Sequence, residues 1–155
     1  MLERLKARFR APEPEPAGPP EALRVFGFSH RPITESGVSV DGDAWRIQAE
    51  EPGSVTLFEV TDPRIDKAML TYRAELKTEA VQGGAYLEMW CHFPGRGEFF
   101  SKGLQQNVKG TTGWASYEVP FYLKAGERPD LIRLNVAFQG AVWLRNPELL
   151  RTPLR

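Results

Sequence analysis

Three stretches of this chain alternate apolar and polar residues so regularly that a half-buried β-strand is the one regular structure that accommodates them. Leu70, Tyr72, Ala74 and Leu76 form one apolar row against Thr71, Arg73, Glu75 and Lys77. After Gly83-Gly84, expected to end the first strand, Leu87, Met89, Cys91 and Phe93 form a second against Tyr86, Glu88, Trp90 and His92, and Ile132, Leu134, Val136 and Phe138 form a third. A period of two puts successive side chains on opposite faces of a pleated backbone, so each row describes a strand with one face in a core and the other outside it.

The rest of the chain fits the same frame. Val38 and Val40 lead into Asp41-Gly42, a dipeptide suited to the left-handed positions of a tight turn, and Trp45, Ile47 and Ala49 alternate afterward, which predicts a hairpin. After Glu51-Pro52-Gly53, Val55, Leu57 and Glu59 alternate with Thr56, Phe58 and Val60. Tyr117, Val119, Phe121 and Leu123 mark a further strand, with Pro120 arguing for an edge position or a bulge because proline has no N–H for a ladder. Residues 141–145 close the series. Residues 94–113 hold five glycines and no period, so they read as a long connection with room for one short strand. The body carries no helical pattern. The expected fold class is all-β, a two-sheet antiparallel jelly-roll sandwich over residues 25–155.

The amino-terminal residues differ. Leu2, Leu5 and Phe9 lie on one helical stripe among Arg4, Lys6, Arg8 and Arg10, which predicts a short basic amphipathic helix over residues 1–10. Five prolines between positions 12 and 20 then end it and favour an extended tether over residues 11–24. Leu2, Leu5 and Phe9 are the expected docking stripe for a protein partner or an anionic membrane surface. Charges separate these apolar residues, so they do not make a signal peptide, and the lone Cys91 gives no internal disulfide. The expected location is the cytoplasm, peripheral to a membrane or a larger assembly. Twenty acidic and twenty basic residues cancel, so a nucleic-acid partner is not expected.

The carboxyl-terminal half carries Gly110-Thr111-Thr112, Trp114, Tyr117-Glu118, Pro120-Phe121, Asp130-Leu131-Ile132, Leu134-Asn135, Gly140 and Val142-Trp143-Leu144. This arrangement resembles galactose-binding-like jelly rolls, carbohydrate-binding modules among them, over roughly residues 38–150. The resemblance implies the sandwich architecture and a ligand-binding or scaffolding use. Where that family often has an aspartate pair, this chain has Arg145-Asn146-Pro147.

The candidate ligand-binding residues are Tyr86, Glu88, Trp90 and His92, which share one face of a strand, with Arg73, Arg133 and Asn135 on the polar sides of other strands. An indole stacks on the apolar face of a sugar ring, and carboxylate, imidazole and amide groups take its hydroxyls. If these strands are neighbours they make a concave, charged, aromatic face, and the expected function is a non-catalytic module for a carbohydrate or other small ligand. The alternative at this face is that Glu88 pairs with Arg73 or Arg133 as an ordinary cross-strand couple. A second stacking set is Tyr72, Trp114, Tyr117 and Trp143, with Trp45 and Trp143 assigned to the core or its rim. Glu88 with Glu118, and Ser101 with His92, are the pairs with catalytic chemistry, but no motif supports either, so no enzyme is expected. No cofactor is expected. The cation these residues suit best is a structural calcium on Asp41, Asp43, Asp62 and Asp66, against the reading that these aspartates shape turns. The alternative function is an accessory or scaffold subunit docked through residues 1–10.

Overall fold

The computed structural model describes residues 14–155. The amphipathic helix expected over residues 1–10, with Leu2, Leu5 and Phe9, lies outside the described residues.

Among the described residues seven strands follow in chain order: β1 (Glu21–Val25), β2 (Val38–Asp41), β3 (Ala44–Thr61), β4 (Ala68–Phe93), β5 (Gly97–Lys102), β6 (Val108–Leu123) and β7 (Leu131–Pro153). All pairings are antiparallel. Among the described residues a single 3-10 turn, Leu104–Gln106, interrupts them. Among the described residues no helix is long and apolar enough to cross a membrane.

The sandwich arises because the three long strands bend midway and serve both layers. The ladder between β3 and β7 breaks between Ala49 and Gly53, and the ladder between β4 and β7 breaks between Glu79 and Tyr86. Gly140 lies at the corresponding bend of β7 with φ 125°, and a Cβ there would stand 2.8 Å from the Ala80 carbonyl oxygen. The close approach of two backbones at the bend therefore requires glycine. One layer holds β2, residues 44–49 of β3, residues 140–153 of β7 with β1 beside them, residues 68–79 of β4, and β6. The other holds residues 53–61 of β3, 131–138 of β7, 86–92 of β4, and β5.

Between the layers, Leu70, Leu76, Leu144 and Leu149 of the first pack in one cluster with Leu87, Met89, Ile132 and Leu134 of the second. Trp45 is buried there as expected, edge-on to Phe58, which stacks on Phe26 at 4.5 Å. The turn after Asp41 places Gly42 at φ 62° and pairs Asp41 with Ala44, which makes the predicted hairpin. Pro120 sits on β6, which has β4 alone as a ladder partner.

Three expectations change. Residues 21–24, expected within the tether, belong to β1 against β7, and Pro16 bridges to Leu154 just before it. Residues 94–113 are not mainly a connection: they contain β5, the 3-10 turn and the start of β6. Gly83 and Gly84 bend β4 rather than end it.

Candidate functional site

The outer face of the second layer is built in rows, because antiparallel registers set outward side chains side by side. Ser54, Ala137 and Tyr86 make the first row; Thr56, Asn135, Glu88 and Lys102 the second; Glu59, Arg133, Trp90 and Phe100 the third; Thr61, Leu131, His92 and Glu98 the fourth. The structure thus brings Tyr86, Glu88, Trp90, His92, Arg133 and Asn135 together on one face.

The middle of the second row is polar and almost sealed from water. Glu88 is 3% exposed and Asn135 4%. Asn135 Nδ2 donates to Glu88 Oε1 at 2.9 Å, while Asn135 Oδ1 is buried with no partner. A carboxylate in such a place is costly unless it is hydrogen-bonded, and the amide supplies that bond.

Trp90 in the third row is 7% exposed. The Arg133 guanidinium lies 4.4 Å from its ring centroid and is held there by Glu59, which accepts from Arg133 Nε at 2.9 Å. A cation over an aromatic face is an attractive pairing, and it occupies the surface on which a sugar would stack. Trp90 therefore covers the sheet instead of lining an open groove. In the fourth row His92 Nδ1 sits 2.6 Å from Asp130 Oδ1.

The opening on this face lies beside Trp90, over the first two rows. Ala137 is small where its neighbours are large, and the depression above it is a cleft of about 250 Å³. Tyr86, Glu88 and Lys102 line one side, Ser54 and Gln139 another, and the bends at 52–53 and 82–84 close the end. A larger groove, about 500 Å³, runs along the sandwich edge between residues 101–106 and 118–120. Its polar groups are partly engaged within the protein, since the Ser101 hydroxyl donates to the Pro120 carbonyl and Gln106 Oε1 accepts from the Glu118 N–H.

The other candidates lie elsewhere. Arg73, expected with the Trp90 face, is on the outer face of the opposite layer, paired with Glu118 at 3.1 Å and Glu148 at 3.4 Å. The same separation parts Glu88 from Glu118, and Ser101 and His92 point to opposite sides of their layer. Of the second stacking set, Tyr72 is fully buried and Tyr117 packs against the core. Trp114 and Trp143 are half-buried on the outer face of the first layer and carry cations, Arg145 at 4.0 Å from the Trp114 centroid and Lys77 at 4.8 Å from that of Trp143.

The four aspartates weighed for calcium are dispersed. Asp41 accepts from Trp143 Nε1, Asp43 pairs with Arg145, Asp66 with Arg128, and Asp62 stands at φ 45° after β3. Among the described residues no three His, Cys, Asp or Glu side chains converge on a metal-sized site. Arg145-Asn146 is an ionic corner, where the Asn146 amide and then Arg145 hold the Glu75 carboxyl below the ordinary carboxylate range. Burial pushes the Cys91 thiol up to about 12, so it stays protonated at neutral pH.

Lys102, Ser54 and Gln139 escaped the sequence reading. Lys102 sits in a stretch read as loop, and Ser54 and Gln139 flank glycine bends whose geometry a linear pattern does not carry. Ala137 offered a signal, a small residue in a row otherwise occupied by Arg133 and Asn135.

The sequence matches no protein-family model and no curated relative. Solved structures do share the fold. The CBM22-1 xylan-binding domain of Paenibacillus barcinonensis Xyn10C aligns with a TM-score of 0.55 at 11% identity, over 88% of this chain and 98% of that one. The Clostridium thermocellum xylanase 10B CBM22-1–GH10 structure with xylohexaose aligns at 0.56 and 8% identity, over 86% of this chain, which spans 28% of that longer polypeptide. The domain is thus a jelly-roll sandwich with the architecture of carbohydrate-binding modules.

Proposed function

We propose that this domain is a non-catalytic binding module for carbohydrate, and that it holds its ligand in the cleft beside Tyr86 and Glu88. The carrying observation is the composition of that cleft: an aromatic wall, a nearly buried carboxylate and a rim of amide, hydroxyl and ammonium groups. Sugars present an apolar ring face together with directional hydroxyls, and this set answers both. At about 250 Å³ the cleft falls below the roughly 300–1,000 Å³ of sites that enclose drug-sized ligands, so it suits one ring or a chain end.

Trp90 is a support in this reading, since Arg133 covers it, and Tyr86 takes the stacking role. The module is read as non-catalytic because hydrolysis of a glycosidic bond needs two flanking carboxyls, and Glu88 is the one acid lining the cleft among the described residues. The xylan-associated structures sharing this fold make xylo-oligosaccharides the first class to screen.

The test is a glycan array followed by titration calorimetry on the saccharides retained. Tyr86→Ala should weaken binding about tenfold, from the loss of a ring contact of about 0.5–1.5 kcal/mol beyond its buried area. Retention of no saccharide, or equal affinity for wild type and Tyr86→Ala, refutes the assignment.

A further inference from the structure

We infer that β5 is a homodimerisation edge, which pairs with β5 of a second copy about a two-fold axis through Phe100. Two of the other exposed sheet edges have backbone obstacles to such pairing. Along β6, Pro120 lacks an N–H and the Gln106 side chain occupies that of Glu118. On β3, the Leu57 and Thr56 carbonyls already accept from Ile33 and Thr34. By contrast β5, Gly97–Lys102, carries two adjacent phenylalanines with Phe99 43% and Phe100 53% exposed. Unpaired strands bearing large apolar side chains are the edges that recruit another strand.

The register follows from the ladder. Glu88 pairs with Lys102 and Met89 with Ser101, and the Gly103 N–H donates to the Leu87 carbonyl at 2.8 Å. Hydrogen-bonded pairs alternate in an antiparallel ladder, so residues 97, 99 and 101 direct their backbone groups to β4. Glu98, Phe100 and Lys102 direct theirs outward, and among the described residues no bond to these outward groups is formed. An antiparallel second copy with Phe100 opposite Phe100 satisfies all three residues on both strands.

That register is also self-complementary in charge. Glu98 and Lys102 flank Phe100 on one face of the strand, so the two-fold sets Glu98 of each copy opposite Lys102 of the other, with a Phe100 pair between them. Lys on an edge ordinarily discourages pairing; here its opposite number is an acid. The axis is perpendicular to the sheet, so both outer faces stay on the same side. Three strand spacings and a four-residue offset separate the two Glu88 backbones by about 20 Å.

Sedimentation equilibrium of the full chain, from micromolar to several hundred micromolar, tests this. The expected result for wild type is a monomer–dimer equilibrium. Glu98→Lys and Lys102→Glu each turn two facing attractions into two repulsions and should each weaken the dimer roughly tenfold or more. The double variant Glu98→Lys/Lys102→Glu restores the pairing pattern and should recover the dimer. Phe100→Pro removes an outward N–H while sparing the ladder to β4, and should give monomer with unchanged far-ultraviolet circular dichroism. A monomeric wild type overturns the proposal, as does a dimer that tolerates the single charge changes. A dimer that the double variant does not recover overturns the register.

Discussion

Replacing Glu88 separates two effects that a binding assay alone confounds. The carboxylate is 3% exposed and takes one hydrogen bond from Asn135 Nδ2, whose amide oxygen has no partner. In Glu88→Ala the Nδ2 group loses its acceptor inside the sheet face, at about 1–3 kcal/mol, and a methylene leaves its packed site at about 0.8 kcal/mol. The sum is a destabilisation of about 2–4 kcal/mol. In Glu88→Gln the amide oxygen still accepts from Nδ2, and its new NH2 can reach the orphaned Asn135 oxygen. Weakening a charge-assisted bond to a neutral one costs about 1 kcal/mol, while a buried charge no longer needs compensation. Glu88→Gln should therefore fold within about 1 kcal/mol of wild type, yet lose affinity for any ligand that needs a charged acceptor. The assay is urea unfolding followed by tryptophan fluorescence. With a slope of about 2 kcal/mol/M, Glu88→Ala lowers the midpoint by about 1–2 M and Glu88→Gln barely moves it. Equal midpoints for Glu88→Ala and wild type would refute the claim that this pair is a structural unit.

Other consequences are equally direct. Trp90→Ala should cost about 3–5 kcal/mol of stability in chemical denaturation, because the ring is packed under Arg133. Tyr72→Phe should be neutral or stabilising by up to about 1 kcal/mol in the same assay, since the Tyr72 hydroxyl is buried with no partner and burial pushes its phenol pKa up. Gly140→Ala should lose at least about 2 kcal/mol, read as a lower thermal midpoint, from the positive φ and the close approach of Ala80. Stability should also fall in acid. The Asn146 amide and Arg145 lower the Glu75 pKa, and the Lys124 N–H with Arg96 lowers that of Glu127. Both folded values lie below the ordinary 4.5, so their stabilisation is complete above that pH and is lost as pH drops through the folded values. Circular dichroism melts between pH 6 and 3 measure this, and Glu75→Gln should shallow the decline.

How far the sequence reaches is decided by what a strand's alternation reports. The rows at residues 70–76, 87–93 and 132–138 were legible because each buries one face, and a one-residue slip would reverse it. β5 was legible only as room for one short strand within residues 94–113, because Phe99 and Phe100 are adjacent and erase the alternation, while the surrounding glycines resemble those of a loop. In the structure, Gly95 and Gly97, at φ 74° and 93°, lie at the hairpin that turns β4 into β5. The same ambiguity hid the continuity of β4, where Gly83 and Gly84 at φ 73° and 110° carry the strand from one layer to the other.

That bend decides which candidate residues meet. Arg73 and Glu88 are on one strand, and pattern alone permits them to share a face. Crossing between layers at residues 80–84 instead sends Arg73 to Glu118 and Glu148, and leaves Glu88 with the partner that β7 presents in register, Asn135. Alternation thus identified residues pointing out of the core, and strand order selected among them. It made Arg133 the cover of Trp90 rather than a counter-ion for Glu88, whose Asn135 amide answers it without neutralising it. The Glu88 carboxyl therefore lines the cleft with an amide as its partner, on the same side as the Lys102 side chain. Ligands whose hydroxyls donate toward Glu88 are favoured there, while a uronic acid that turns its carboxylate to that side sets two carboxyl groups together. Neutral saccharides should accordingly bind ahead of their uronate counterparts, and Glu88→Gln should narrow that gap.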